Sequence, residues 1–262
     1  PMALGKLTTE LYDAIEKIPC INSHSHIQPE AKRLAEPEDA LAFFAHAYPG
    51  SDLVSAGMSA EEKEKALSPG LPLAERWKIF EPYWRWIRLT GFSQGIIEGF
   101  RDLLGFEELN GETVEPISEA LQAHCKPGFY NEVLQQRSNL EISVVNMEDL
   151  IEVDRELFLP LPRLNRFSML GSAAQIEAIE KDYNVSITSL DQHIEVIRQV
   201  CRQWKAATVA GVKMSQSYHR RMDFTERRKE DASKVFDGLL RGQYAGLESA
   251  EGVLLEDYIV FE

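Results

Sequence analysis

The chain has 262 residues, with 42 Asp and Glu against 28 Lys and Arg, a formal net charge of −14 and 44% hydrophobic residues. That length and apolar content suit a globular chain able to bury a core, which excludes the disordered and fibrous classes. The acidic excess argues against nucleic acid and anionic membrane as partners, because both recruit a positive surface.

One basic cluster, Arg220, Arg221, Arg227, Arg228 and Lys229, is interrupted by Asp223 and Glu226 and reads as a solvated face with at most one substrate contact. No apolar run of about 18 residues occurs, and the N-terminus lacks the charged-then-apolar profile of a signal peptide, so a cytoplasmic protein is expected. Cys20, Cys125 and Cys201 are too few and too scattered for a disulfide framework or a cysteine-rich zinc site. Cys20 and Cys201 fall on apolar runs and read as core residues.

In chain order, Leu7, Leu11, Ile15 and Ile18 are spaced for a short amphipathic helix that Pro19 stops. The run Cys20 to Ile27 follows, too short between Pro19 and Pro29 for a long helix, and is read as a strand. Period 2 then sets His24 and His26 on one face. From about Glu38 to Arg137 the chain is helix-like, with turn signals at Pro49-Gly50, Pro69-Gly70, Asn110-Gly111 and Pro127-Gly128. The aromatic stretch Trp77, Phe80, Trp84, Ile87 and Phe92 is read first as helix-packing core and second as a lid, with a helix expected to begin near Pro82.

After Asn139, strand and helix patterns alternate. Glu141 to Val145, Leu157 to Leu164 and Val209 to Met214 are strand candidates, the second expected to pair poorly because of Pro160 and Pro162. Ser172 to Asp182 and Leu190 to Trp204 read as helices, the latter with a capping-box-like start at Thr188 and Asp191. Such alternation points to parallel βαβ units. Three segments are expected: 1–37 with the first strand, 38–138 as a helical insertion, and 139–262 as continuing βα units.

His24-Ser25-His26 is the sharpest chemical signal, since two imidazoles two apart on a strand reach one divalent ion while the serine points away. His46, His124 and His193 are read as surface or packing residues. Asn146, Glu148 and Asp149 follow the second strand and lie within reach of the site, an N-cap role serving Asp149 equally well.

The strand Ile21 to Ile27, the block Arg76 to Leu109, the turn Lys126-Pro127-Gly128-Phe129-Tyr130 and Gly211-Val212-Lys213 with Tyr218 together resemble the amidohydrolase superfamily, in its amidohydrolase-related, uronate-isomerase-like branch. The resemblance implies an α/β fold of the (β/α)8 TIM-barrel type, with a divalent metal, zinc first among them, at the C-terminal strand ends. It implies that His24 and His26 are metal ligands, although Asn22 stands where many members carry Asp. Lys213, Tyr218, Arg220 and Arg163 would contact a small carboxylate-bearing substrate.

Only four strands are found before Glu262, so the expectation is the first half of the barrel with a large helical insertion after the first strand. The family's remaining ligands and its catalytic aspartate would then lie past the chain's end. The expected activity is metal-dependent hydrolysis, with sugar-acid isomerisation or non-oxidative decarboxylation as alternatives on the same fold. From a different class come a catalytically incomplete half-barrel, whose bare strand edges favour association with another chain or as a homo-oligomer, and a helical interaction module.

Overall fold

The computed structural model describes residues 5–45, 47–148 and 153–262; His46 and Asp149, both read above from sequence, lie outside the described residues. The described residues form a mixed α/β structure, mostly helical, with a three-stranded parallel sheet. This sheet does not close into a barrel among the described residues, and the first half of a barrel is what the sequence leads one to expect. The chain divides into two compact units, residues 1–27 with 134–262, and residues 28–133.

The first unit opens with α1 (Lys6–Ile15) and β1 (Cys20–Ser25), which pairs in parallel with β2 (Leu140–Met147). β2 pairs in parallel with β3 (Phe158–Pro162), Val145 opposite Pro160 and Met147 opposite Pro162. The sheet order is β1-β2-β3. Cys20, expected in the core, is exposed, because β1 lies at the sheet's edge.

The prolines of β3 do not disturb its pairing with β2. Toward β2 this strand uses its odd-numbered residues, with Ser143 N donating to Leu157 O at 2.9 Å and Arg163 N to Met147 O at 3.0 Å. Pro160 and Pro162 face the other side and, lacking an N–H, offer only carbonyls there. Those carbonyls accept from Ala210 N at 2.8 Å and Lys213 N at 2.9 Å, and Leu164 N donates back to Lys213 O at 2.9 Å. Val209 to Met214, expected as a strand, is therefore reduced to a single parallel bridge between Arg163 and Lys213.

The helices of this unit carry its core. After a short α2 (Asn165–Ser168) come α3 (Ala173–Tyr183), α4 (Leu190–Ala206), α5 (Lys229–Leu240) and α6 (Ala250–Phe261). They bury Phe167, Ile176, Ile179, Val200, Trp204, Phe236 and Leu255 together. On α4 the expected stripe of Leu190, Ile194, Ile197 and Trp204 faces inward. Its N-cap is Ser189, which accepts from Gln192 N at 3.4 Å, rather than the expected box from Thr188 to Asp191.

The second unit is helical: α7 (Glu30–Ala35), α8 (Ala47–Ser55), α9 (Ala60–Leu67), α10 (Leu73–Ile87), α11 (Gly91–Leu104) and α12 (Val114–His124). Two proline signals misled the sequence reading. Pro49 and Gly50 lie within α8, where a proline near the first turn costs little because the first N–H groups have no helical partner. Pro82 lies inside α10, which begins at Leu73, not near Pro82. An interior proline costs ~3 kcal/mol, and α10 offsets this by burying Trp77, Phe80, Trp84 and Ile87 on one face. Phe44 meets the rings of Phe80 and Trp84 at 5.2 and 5.3 Å, the tilted and edge-on geometries that aromatic pairs prefer. Arg76, nearly fully buried, is paired with Asp39 and donates Nε to Ala66 O at 2.9 Å.

Candidate metal centre

His24 stands one residue before the end of β1, and His26 one residue beyond it. Between them Ser25 is buried and donates Oγ to Val144 O at 3.0 Å, which pins the strand end to β2. The two imidazoles are thereby sent to the same side. Their Nε2 atoms lie 3.1 Å apart, with ring centroids 4.8 Å apart and ring planes at 81°. A tetrahedral ion with Zn–N bonds of ~2.0–2.1 Å requires two nitrogens about 3.3 Å apart. The separation of the pair matches that bite.

Three side chains from the neighbouring strand ends close around the pair. Lys213, held at the bridge beside Arg163, places Nζ 3.4 Å from both ring nitrogens of His24. Asn146, on β2, places Nδ2 3.5 Å from both ring nitrogens of His26. Arg163, just after β3, donates Nε to Asn146 Oδ1 at 3.1 Å and pairs with Glu148. Because the Asn146 oxygen is taken by Arg163, its amide N–H groups face His26.

The electrostatics favour the neutral form of His26. Burial is the largest influence holding its pKa below the ordinary histidine value of 6.5, followed by the positive charges of His24, Arg163 and Lys213, with Glu148 opposing. A neutral imidazole retains the lone pair that a metal needs.

Not every residue singled out in the sequence joins this cluster. Tyr218 sits in a short turn of helix, Gln216–Tyr218, with its side chain 85% exposed. Arg220 is tied to α6, donating to Glu256 at 3.3 Å and to Asp257 at 2.7 Å. The same two carboxylates receive His219 at 3.4 Å and Arg227 at 2.8 Å. These buried acids were missed from sequence, though a signal was present: adjacent charges inside the apolar run Val253 to Phe261 require cationic partners. His193 is fully buried with Nε2 2.8 Å from Phe167 O, and His124 pairs with Glu132 at 3.1 Å. Among the described residues, no group of three or more His, Cys, Asp or Glu side chains converges as a metal site. The imidazole pair fits part of a coordination sphere, not all of it.

No protein-family model and no curated protein matches the sequence. A solved structure does match: a chain from Lactobacillus casei ATCC 334 described as a "putative metal-dependent hydrolase", at a TM-score of 0.54 and 12% identity. The match takes in 96% of this chain and 55% of that one, so this chain spans little more than half of the other's length. The likeness is one of fold. No helix among the described residues is long and apolar enough to cross a membrane.

Proposed function

We propose that this chain carries the first βα units of a metal-dependent hydrolase of the amidohydrolase-related type, in which His24 and His26 hold part of the coordination sphere of a divalent ion, zinc first among the candidates. The observation that carries this reading is the 3.1 Å separation of the two Nε2 atoms at the C-terminal end of a parallel strand. Open parallel sheets and barrels bind their ligands at that end. A bound divalent ion would polarise the scissile bond and make its water acidic enough to ionise near neutral pH.

The remaining roles fall to the chain's own side chains. Lys213 has no carboxylate partner among the described residues, and its ammonium stands at the same strand ends as the imidazoles. It would take the carboxylate of a small anionic substrate as a point charge. Arg163 is already engaged by Glu148 and Asn146, so it serves as a positioning residue, fixing the Asn146 amide against His26. The described residues bring two ligands together where zinc sites use three or more, so the remaining ligands would come from elsewhere in the polypeptide.

The test is zinc binding to the intact chain by equilibrium titration with elemental analysis. Replacing both histidines (H24A with H26A) is expected to weaken binding at least tenfold, the scale on which ligand-sphere losses act. K213M should leave zinc binding in place and weaken inhibition by a simple carboxylate. Zinc content that is unchanged in the double-histidine variant overturns the assignment.

A further inference from the structure

Arg163 holds two partners at once. Its Nε donates to Asn146 Oδ1 at 3.1 Å, and a terminal nitrogen of the same guanidinium pairs with Glu148. Asn146 lies near the end of β2 and Glu148 one residue beyond it, so strand alternation directs both side chains toward one face. Arg163 is also bridged in parallel to Lys213, and these two cations issue from neighbouring strand ends. Both charges act on His26, and Glu148 opposes them. The two members of the ion pair are not alike. The Arg163 side chain is 30% exposed and anchored by Asn146, whereas that of Glu148 is 65% exposed. The carboxylate is therefore the member that can leave while the guanidinium stays.

We propose that Glu148 is a placeholder for the acid group of the substrate: it occupies the Arg163 fork until an incoming carboxylate displaces it. The proposal rests on the anionic-substrate reading above and gives Arg163 a second role beside that of fixing Asn146. An exposed ion pair is a weak bond, worth at most about fivefold in an equilibrium, so another carboxylate can replace it. The incoming group can take both terminal nitrogens of the planar fork. It also meets Lys213, with which no carboxylate pairs among the described residues. A neutral molecule offers the guanidinium nothing in exchange, and Glu148 then stays in place. Glu148 thus acts as a specificity residue, selecting acids over neutral analogues by competing for the same seat.

The test is a titration of sodium acetate into the intact, metal-free chain, followed by NMR chemical shifts. Constant ionic strength keeps salt screening out of the comparison. Because Glu148 is exposed, Glu148→Gln should fold as the wild type does. It is expected to bind acetate about two- to fivefold more tightly, the strength of an exposed pair. Equal or weaker binding overturns the proposal, since a residue that merely orients Arg163 gives a loss when replaced. A double-mutant cycle checks the seat. Arg163→Met should erase the gain from Glu148→Gln; a gain that survives without Arg163 is a long-range effect of charge and overturns the placeholder as well. Lys213→Met reports on the underlying reading separately. If it weakens acetate binding while Glu148→Gln changes nothing, the anionic-substrate reading stands and the placeholder falls. If it has no effect and the Arg163-dependent gain appears, the placeholder stands and Lys213 is not the seat. Failure of acetate to bind any form overturns both.

Discussion

His193 shows how a single buried base ties stability to pH. Its ring is fully buried on α4, Nε2 lies 2.8 Å from Phe167 O, and Nδ1 has no hydrogen-bond partner among the described residues. Burial holds its pKa below 6.5, only partly offset by the bond to Phe167. In the unfolded chain the ring returns to the ordinary value and takes a proton first. The unfolded state therefore binds more protons across the window from 6.5 down to the native value, and stability falls as the solution is acidified through it. Above 6.5 the contribution is fully present. Chemical denaturation across this range should show the decline for the wild type, and His193→Gln, which keeps a donor for Phe167 O but does not titrate, should remove that part of the slope. A slope unaltered by the substitution would mean that other groups carry the acid sensitivity.

At the scale of elements, two glycines in helices make opposite predictions. Gly252, in the first turn of α6, has no room for a methyl group: a Cβ there would lie 2.3 Å from Leu247 O and 2.5 Å from Gly246 O, both backbone atoms that cannot swing aside. Gly252→Ala should destabilise the chain by about 1–3 kcal/mol, the range for forced overpacking. Gly95, within α11, meets nothing within 4 Å and does not use a left-handed conformation. Gly95→Ala should therefore stabilise by about 0.4–1 kcal/mol through the unfolded chain's lost freedom. Urea midpoints moving in the same direction for both would contradict the geometry. The elements themselves were legible where periodicity was strong, as in α4 and β2, and where short range decided the outcome, as in the His-x-His strand end. Proline was the weak point. Its local penalty is visible in sequence, but the aromatic packing that carries α10 through Pro82 is not, nor is the choice of sheet side that makes Pro160 and Pro162 harmless to β3 and costly to Val209 to Met214. In the site, the imidazole pair and Lys213 could be anticipated from spacing and place on the strands. Arg220 could not, because its attachment to Glu256 and Asp257 depends on where α6 packs.

The described residues include two apolar cores with no residue in common. One is built from residues 167 to 259 and the other from residues 40 to 121. Each has its own deeply buried aromatic anchors, Phe236 in the first and Phe80 in the second, both at 0% exposure. A core that shares no side chain with its neighbour has its own balance of burial against chain entropy, so the two need not unfold together. Calorimetry on the intact chain is expected to resolve two transitions. Truncating a buried phenylalanine to alanine costs about 3–5 kcal/mol, and the loss should fall on one transition only: Phe80→Ala on the unit of residues 28–133, Phe236→Ala on the unit that carries His24 and His26. Zinc supplies the independent check, because a ligand bound to the native state raises only the stability of the unit that binds it. Added zinc should raise the transition that Phe236→Ala lowers and leave the other in place. A single cooperative transition, lowered alike by both substitutions, would mean that the two cores are coupled into one folding unit.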